Sequence, residues 1–155
     1  MTKISKTAYL LTLSLAAGFL SAYIPLEDIQ VVDGDTIRAE ARGKELKIRL
    51  VEIDAPEINQ PFGTQSKNFL NRLLYEKKVT LISKGEDRYG RILGKIYADG
   101  KSANMLMIKS GFAWVYDRYV QDLSLYRYQD QAKAENLGLW QAENPIAPWV
   151  WRKQK

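Results

Sequence analysis

Four short runs carry residues whose types and spacing can do chemistry: Asp33-Gly34-Asp35-Thr36, then Arg49, then Asp54-Ala55-Pro56-Glu57, then Arg88-Tyr89-Gly90-Arg91. They lie in a sequence with no histidine and no cysteine. Those absences exclude a Ser-His-Asp triad, a cysteine nucleophile with a histidine base, and a zinc cage of His and Cys. Carboxylates, arginines and bound ions remain. Together they suit metal-assisted attack on a phosphodiester, in which acids hold a hard cation and guanidiniums hold the phosphate.

Each residue also has a simpler reading. Asp33 is best explained as a turn former, because short acids hydrogen-bond the backbone two residues on. Asp35 opens a strand, where aspartate is disfavoured, and Asp54 closes another, so both can meet at one barrel edge and invite a cation. Arg49 alternates with Val51 and Ile53 along a strand, which sets a permanent charge among apolar neighbours unless an anion meets it. A structural ion pair with Glu57 or Asp54 is the plain alternative. Arg91, at the mouth of a later strand, supplies a second guanidinium, and two can grip a phosphate and the extra charge of its transition state. Glu57 is either a base for a water or a partner for Arg49. Arg88, Tyr89, Tyr116 and Tyr119 offer cations and rings suited to phosphate contact and to stacking on unpaired bases, although Tyr119 fits a core position equally well. Trp114, Trp140, Trp149 and Trp151 read as packing residues. The Pro145–Trp151 stretch reads as a cover for part of the barrel, and Arg152-Lys153-Gln154-Lys155 as a solvated end.

The elements that must position these residues are short. Residues 24–32, 35–41 and 45–53 read as strands joined at Asp33-Gly34 and Arg42-Gly43-Lys44, the last ending at the Asp-Ala-Pro-Glu corner. A helix with Phe69, Leu70, Leu73 and Leu74 on one side follows, capped by Thr64 or Ser66. Two more strands are expected at 78–84 and 91–98, then a helix capped by Ser102, an extended Ala113–Tyr116 segment, and a last helix from Asp122 to about Asn136 that Gly138 ends. The expected class is mainly β with α: a five-stranded OB-fold barrel with three helices, a fold whose face commonly takes oligonucleotides or oligosaccharides.

The chain of 155 residues has room for one domain. Lys3 and Lys6 precede an apolar run from about Ala8 to Leu20, with Ser21-Ala22 behind it. At about 13 residues the run is short of the roughly 20 that cross a bilayer, so residues 1–22 are expected to be a signal peptide and 23–155 the mature domain, secreted or periplasmic. Cleavage there removes two lysines and no acid, so the formal net charge of +5 falls to +3. The mature domain stays mildly basic, which favours polyanions without identifying one.

The blocks Val31-Val32-Asp33-Gly34-Asp35-Thr36, Arg49 through Glu57, Asp87-Arg88-Tyr89-Gly90-Arg91 and Gly138-Leu139-Trp140, in that order, resemble the staphylococcal nuclease (thermonuclease) family over roughly residues 28–140. The resemblance implies a calcium-dependent, sugar-nonspecific endonuclease that acts on DNA and RNA and leaves 3′-phosphate ends. It implies that Asp35, Asp54 and the main-chain carbonyl of Ala55 ligate Ca2+, that Glu57 activates the attacking water, and that Arg49 and Arg91 hold the phosphate. Arg88 and Tyr89, and more loosely Tyr116, would bind substrate. Single-stranded substrate is preferred on stacking grounds, and a monomer is expected. Many family members carry threonine where this chain has Ala55, which removes a hydroxyl but not the proposed carbonyl ligand. Two rivals belong to other classes: a noncatalytic OB-fold module that only binds nucleic acid, and a calcium-stabilised structural domain. Retention of Asp35, Arg49, Asp54, Glu57 and Arg91 argues for the enzyme.

Overall fold

A computed structural model describes residues 22–154. The expected signal segment lies almost entirely outside the described residues.

In chain order the elements are β1 (Ile24–Val31), β2 (Thr36–Ala41), β3 (Lys44–Leu50), β4 (Ile53–Asp54), α1 (Gly63–Leu74), β5 (Val79–Glu86) and β6 (Ile92–Ala98). Then come β7 (Lys101–Ser102), α2 (Ala103–Lys109), β8 (Trp114–Val115), α3 (Ser124–Ala134), a 3-10 turn (Gly138–Gln141) and α4 (Pro148–Trp151).

Period-two alternation drives the first strands. On β2 and β3, Ile37, Ala39, Ala41, Ile48 and Leu50 are buried while Arg38 and Lys47 are exposed. The main sheet runs β3-β2-β1-β5-β6-β7, and β3 also pairs with β6 in parallel, with Arg49 opposite Leu93. That pairing closes a five-stranded barrel and leaves no long open edge among its strands. The interior is filled by Ile37, Ile48, Leu50, Leu81 and Ile96, and Leu70 of α1 with Met107 and Ile108 of α2 packs against it.

The expected helices form, and the short α4 joins them. Ser102 caps α2 by accepting from the Met105 N–H at 3.2 Å. The start of α1 differs from the expected Thr64 or Ser66 cap: Gly63 opens the helix after Phe62, at φ 67°, with no side-chain cap. Ser66 is fully buried and donates to the Phe112 carbonyl at 2.6 Å, so a long-range bond has claimed the hydroxyl. The third strand is also interrupted. Glu52 takes φ 67° and breaks the run, after which Ile53 and Asp54 pair with Val115 and Trp114. Its carboxylate is held by three donors: the Gln121 N–H at 2.8 Å, the Asp122 N–H at 2.6 Å and Lys95 Nζ at 2.6 Å. Pairing β4 with β8 sets Asp54 beneath the C-terminal segment.

Candidate active site at the barrel mouth

The turn between β1 and β2 presents Asp35. Asp33 Oδ1 accepts from the Asp35 N–H at 3.0 Å and so shapes the turn, as its sequence reading expects. A Cβ on Gly34 would meet Ser66 Oγ at 1.9 Å, so only glycine lets this turn lie against α1. The corner after β4 presents Glu57. Gly63 is pressed as closely against it, since a Cβ there would meet the Glu57 carbonyl oxygen at 1.9 Å.

Arg49 lies between two buried acids. Its Nε is 3.1 Å from Asp35 Oδ1 and its Nη2 is 3.0 Å from Asp54 Oδ1. Its remaining nitrogen donates to the carbonyls of Leu50 and, at 3.0 Å, of Ile53. Both acids are nearly sealed, with Asp35 at 6% exposure and Asp54 at 1%. Asp35 also accepts from the Ala55 N–H at 2.6 Å and from Thr36 Oγ1 at 3.1 Å. Burial pushes its carboxyl up from 3.8 to about 7; Arg49 and the Ala55 N–H pull down, while Asp33 and Asp54 push up. Despite the close ion pair, burial wins, since it is the largest of these effects.

Arg91 is two residues before Leu93, the β6 partner of Arg49. Its Nε pairs with Asp87 Oδ2 at 2.8 Å. Asp87 Oδ1 also accepts the N–H groups of Tyr89 and Arg91 at 2.9 and 3.0 Å, which shapes the β5–β6 turn. Burial draws the Asp87 carboxyl up, but the Arg91 backbone and side chain and the Tyr89 N–H outweigh it and leave it below the usual range. Tyr89 is exposed on this turn, and Arg88 lies over its ring and donates to its hydroxyl. Tyr116 is differently placed. Trp149 of α4 stacks on its ring at 5.5 Å between centroids and 5° between planes, while Tyr119 meets it edge-on at 4.9 Å.

Arg152 departs from the reading of the tail as a solvated end, while Lys153 and Gln154 are exposed as that reading expects. Arg152 Nη2 is 2.7 Å from Asp54 Oδ2, and its Nη1 is 2.7 Å from Glu57 Oε1 and 3.2 Å from Asp54 Oδ1. The hydrogen bond to Asp54 raises the pKa of this guanidinium; burial works against it, and Glu57 adds to the rise. Glu57 therefore pairs with Arg152, and Arg49 pairs with both aspartates. The tail's four-residue run of Pro148, Trp149, Val150 and Trp151 is the signal in the sequence that the end would be anchored.

Among the described residues, no group of three or more acids is gathered into a ready metal cage. A cation here would lean on Asp35 and Asp54, on main-chain oxygen and on oxygens from outside the protein. The donor set fits one. Asp35 is an under-compensated buried carboxyl, and Asp54 with Glu57 already accepts a positive group in the form of Arg152.

A closed five-stranded barrel with two buried acids joined by a part-buried guanidinium at its mouth, and an Arg88-Tyr89 turn between β5 and β6, defines an OB-fold protein with an acid-and-arginine site. The family profile described as Staphylococcal nuclease homologue matches residues 47–142. A Haemophilus influenzae protein described as an uncharacterized endonuclease is 44% identical over 128 residues, covering 82% of this chain and 72% of its own. An Escherichia coli protein with the same description is 44% identical over 82% of this chain and 84% of its own. The micrococcal nuclease of Shigella flexneri is 36% identical over 82% of this chain and 79% of its own. The chain belongs to the staphylococcal nuclease family and is a hydrolytic nuclease.

Proposed function

We propose that the chain is an exported, calcium-dependent endonuclease that hydrolyses DNA and RNA, single strands in preference, to products ending in a 3′-phosphate. The observation that carries this reading is Arg49 held by Asp35 and Asp54 at 3.1 and 3.0 Å in a nearly sealed mouth. A guanidinium placed there has its orientation fixed before substrate arrives, which is what stabilisation of developing charge requires.

Asp35, Asp54 and the Ala55 carbonyl would hold the cation. Calcium, when bound, supplies positive charge to a phosphate oxygen. Glu57 orients a water and takes its proton as the oxygen attacks phosphorus. The P–O5′ bond breaks opposite the incoming oxygen, the 3′ oxygen keeps the phosphate, and a solvent water protonates the departing 5′ oxygen, because an arginine does not give up its proton at working pH. Arg49 and Arg91 bear the charge of the five-coordinate phosphorus. Arg88 and Tyr89 receive the neighbouring phosphate and base.

The test is digestion of single-stranded DNA with calcium or chelator, with Glu57→Ala alongside. Calcium-dependent cleavage that is lost in the variant, with phosphate on the 3′ ends, supports the reading. Cleavage in chelator, or full activity of the variant, contradicts it. With no histidine to titrate, the rate is expected to rise above neutral pH, and a bell centred near pH 6 would count against it.

A further inference from the structure

The C-terminal strap has two attachments to the proposed site. Its chain is tied down by Gln60 Nε2 donating to the Ile146 carbonyl at 2.6 Å and by Trp151 Nε1 donating to Asn59 Oδ1 at 3.4 Å. Ala147 and Pro148 are buried, and Trp149 packs edge-on to Trp114 at 5.8 Å besides stacking on Tyr116. So seated, α4 delivers Arg152 to Asp54 and Glu57. The guanidinium uses both oxygens of Asp54, the same oxygens a cation would need, and the carboxylate that would orient the water. Trp149 lies on Tyr116 as a nucleobase would, nearly parallel at 5°.

We propose that the segment Ala147–Arg152 is a built-in occupant of the site: Arg152 competes with the divalent cation for Asp54 and Glu57, and Trp149 competes with a substrate base for the face of Tyr116. The inference rests on the calcium reading above. Asp54 already carries Arg49 on Oδ1, so Arg152 is the second cation on that carboxylate and the one that covers Oδ2 and Glu57; a divalent cation arriving on those oxygens repels it, and binding of one loosens the other. An arginine side chain 40% exposed, just past a four-residue helix outside the barrel strands, can leave without disturbing the barrel. The empty enzyme is then kept with its acids neutralised, and cation with substrate exchanges the strap for the working arrangement. The chain's own residues thereby set how much calcium is needed.

Calorimetric titration of the full chain with CaCl2 alone tests this, with no substrate present. Arg152→Gln is expected to bind calcium about tenfold more tightly than the wild type. Lys153→Gln removes the same charge one residue away and is expected to stay within about twofold. Arg152→Lys, which keeps the charge and loses the fork, falls between them. Trp149→Ala unseats α4 without changing any charge and moves affinity in the direction of Arg152→Gln. Affinity equal to or weaker than wild type in both Arg152→Gln and Trp149→Ala overturns the competition, even where calcium-dependent cleavage persists. Absence of calcium binding in every protein, with cleavage that chelator does not stop, overturns the calcium reading and this inference with it.

Discussion

Glu52 and Asp35 are both acids buried in the same barrel, at 4% and 6% exposure, and they have opposite fates. Burial pulls both carboxyls upward. At Glu52 this is outweighed by Lys95 and by the N–H groups of Asp122 and Gln121, and the group ends below its usual 4.5. At Asp35 burial prevails, and the group is pushed to about 7. The difference begins with hydrogen bonding: Lys95 and the N–H groups of Asp122 and Gln121 draw Glu52 down, whereas at Asp35 the Ala55 N–H is the hydrogen bond that does so. The placing of positive charge adds to it. Lys95 forms its ion pair with Glu52, whereas Arg49 divides between Asp35 and Asp54, with Asp33 adding to the repulsion. A carboxylate with its own cation is a rivet that fixes Val51–Asp54 against the Gln121–Asp122 turn. Asp35 has only a share of Arg49, while Asp54 and Glu57 also hold Arg152, so three acids meet two guanidiniums and a further cation can be accommodated there, which is the property of a site rather than of a support.

This contrast can be broken at several points. The largest effect is expected at Arg49→Lys: the charge stays but the fork joining the two acids is lost, and cleavage should slow by about 10²–10³-fold in initial-rate assays on single-stranded DNA. Glu52→Gln should do the reverse. It leaves Lys95 without its anion and lowers unfolding free energy by about 2 kcal/mol in denaturant melts, with the rate per folded molecule unchanged.

pH separates the two acids by sign. With its folded-state pKa raised, Asp35 holds a proton that the unfolded chain has already released, so in chelator its contribution to stability falls as pH climbs from 3.8 to about 7. Asp35→Asn should remove that fall, and melting temperatures in chelator should show the variant gaining on wild type across this window. Glu52, with its folded-state pKa lowered, contributes stability above 4.5 that is lost on acidification through its depressed pKa, so the deficit of Glu52→Gln should shrink in acid. The smallest effect belongs to an exposed pair. Arg38 and Glu45 are 3.8 Å apart in solvent, and Arg38→Ala should change stability by no more than about 0.5 kcal/mol.

Much of this was legible in the sequence. The alternation on β2 and β3, the Asp33-Gly34 turn and the Asp54-to-Glu57 corner led to the barrel and to Asp35, Arg49 and Asp54 at its mouth, because each rests on local spacing. What escaped was long-range. Arg152 meets Glu57 across 95 residues and Asp54 across 98, and no periodicity reports such a contact. Glu52 looked like one more strand residue because its donors, Gln121 and Asp122, are about 70 positions away. Its left-handed backbone splits the third strand. Ser66 likewise looked like a helix cap and was taken by Phe112 instead. Asp87 was within reach of local reasoning: it and Arg91 stand four apart around Tyr89-Gly90.

The acids that share Arg49 are expected to accept a cation, and the riveted Glu52 is not. Thermal unfolding with and without calcium in wild type, Asp35→Asn and Glu52→Gln tests this most directly. Calcium should raise the midpoint of wild type and of Glu52→Gln by similar amounts and leave Asp35→Asn nearly unmoved. An equal rise in Asp35→Asn, or a response lost only in Glu52→Gln, would contradict it.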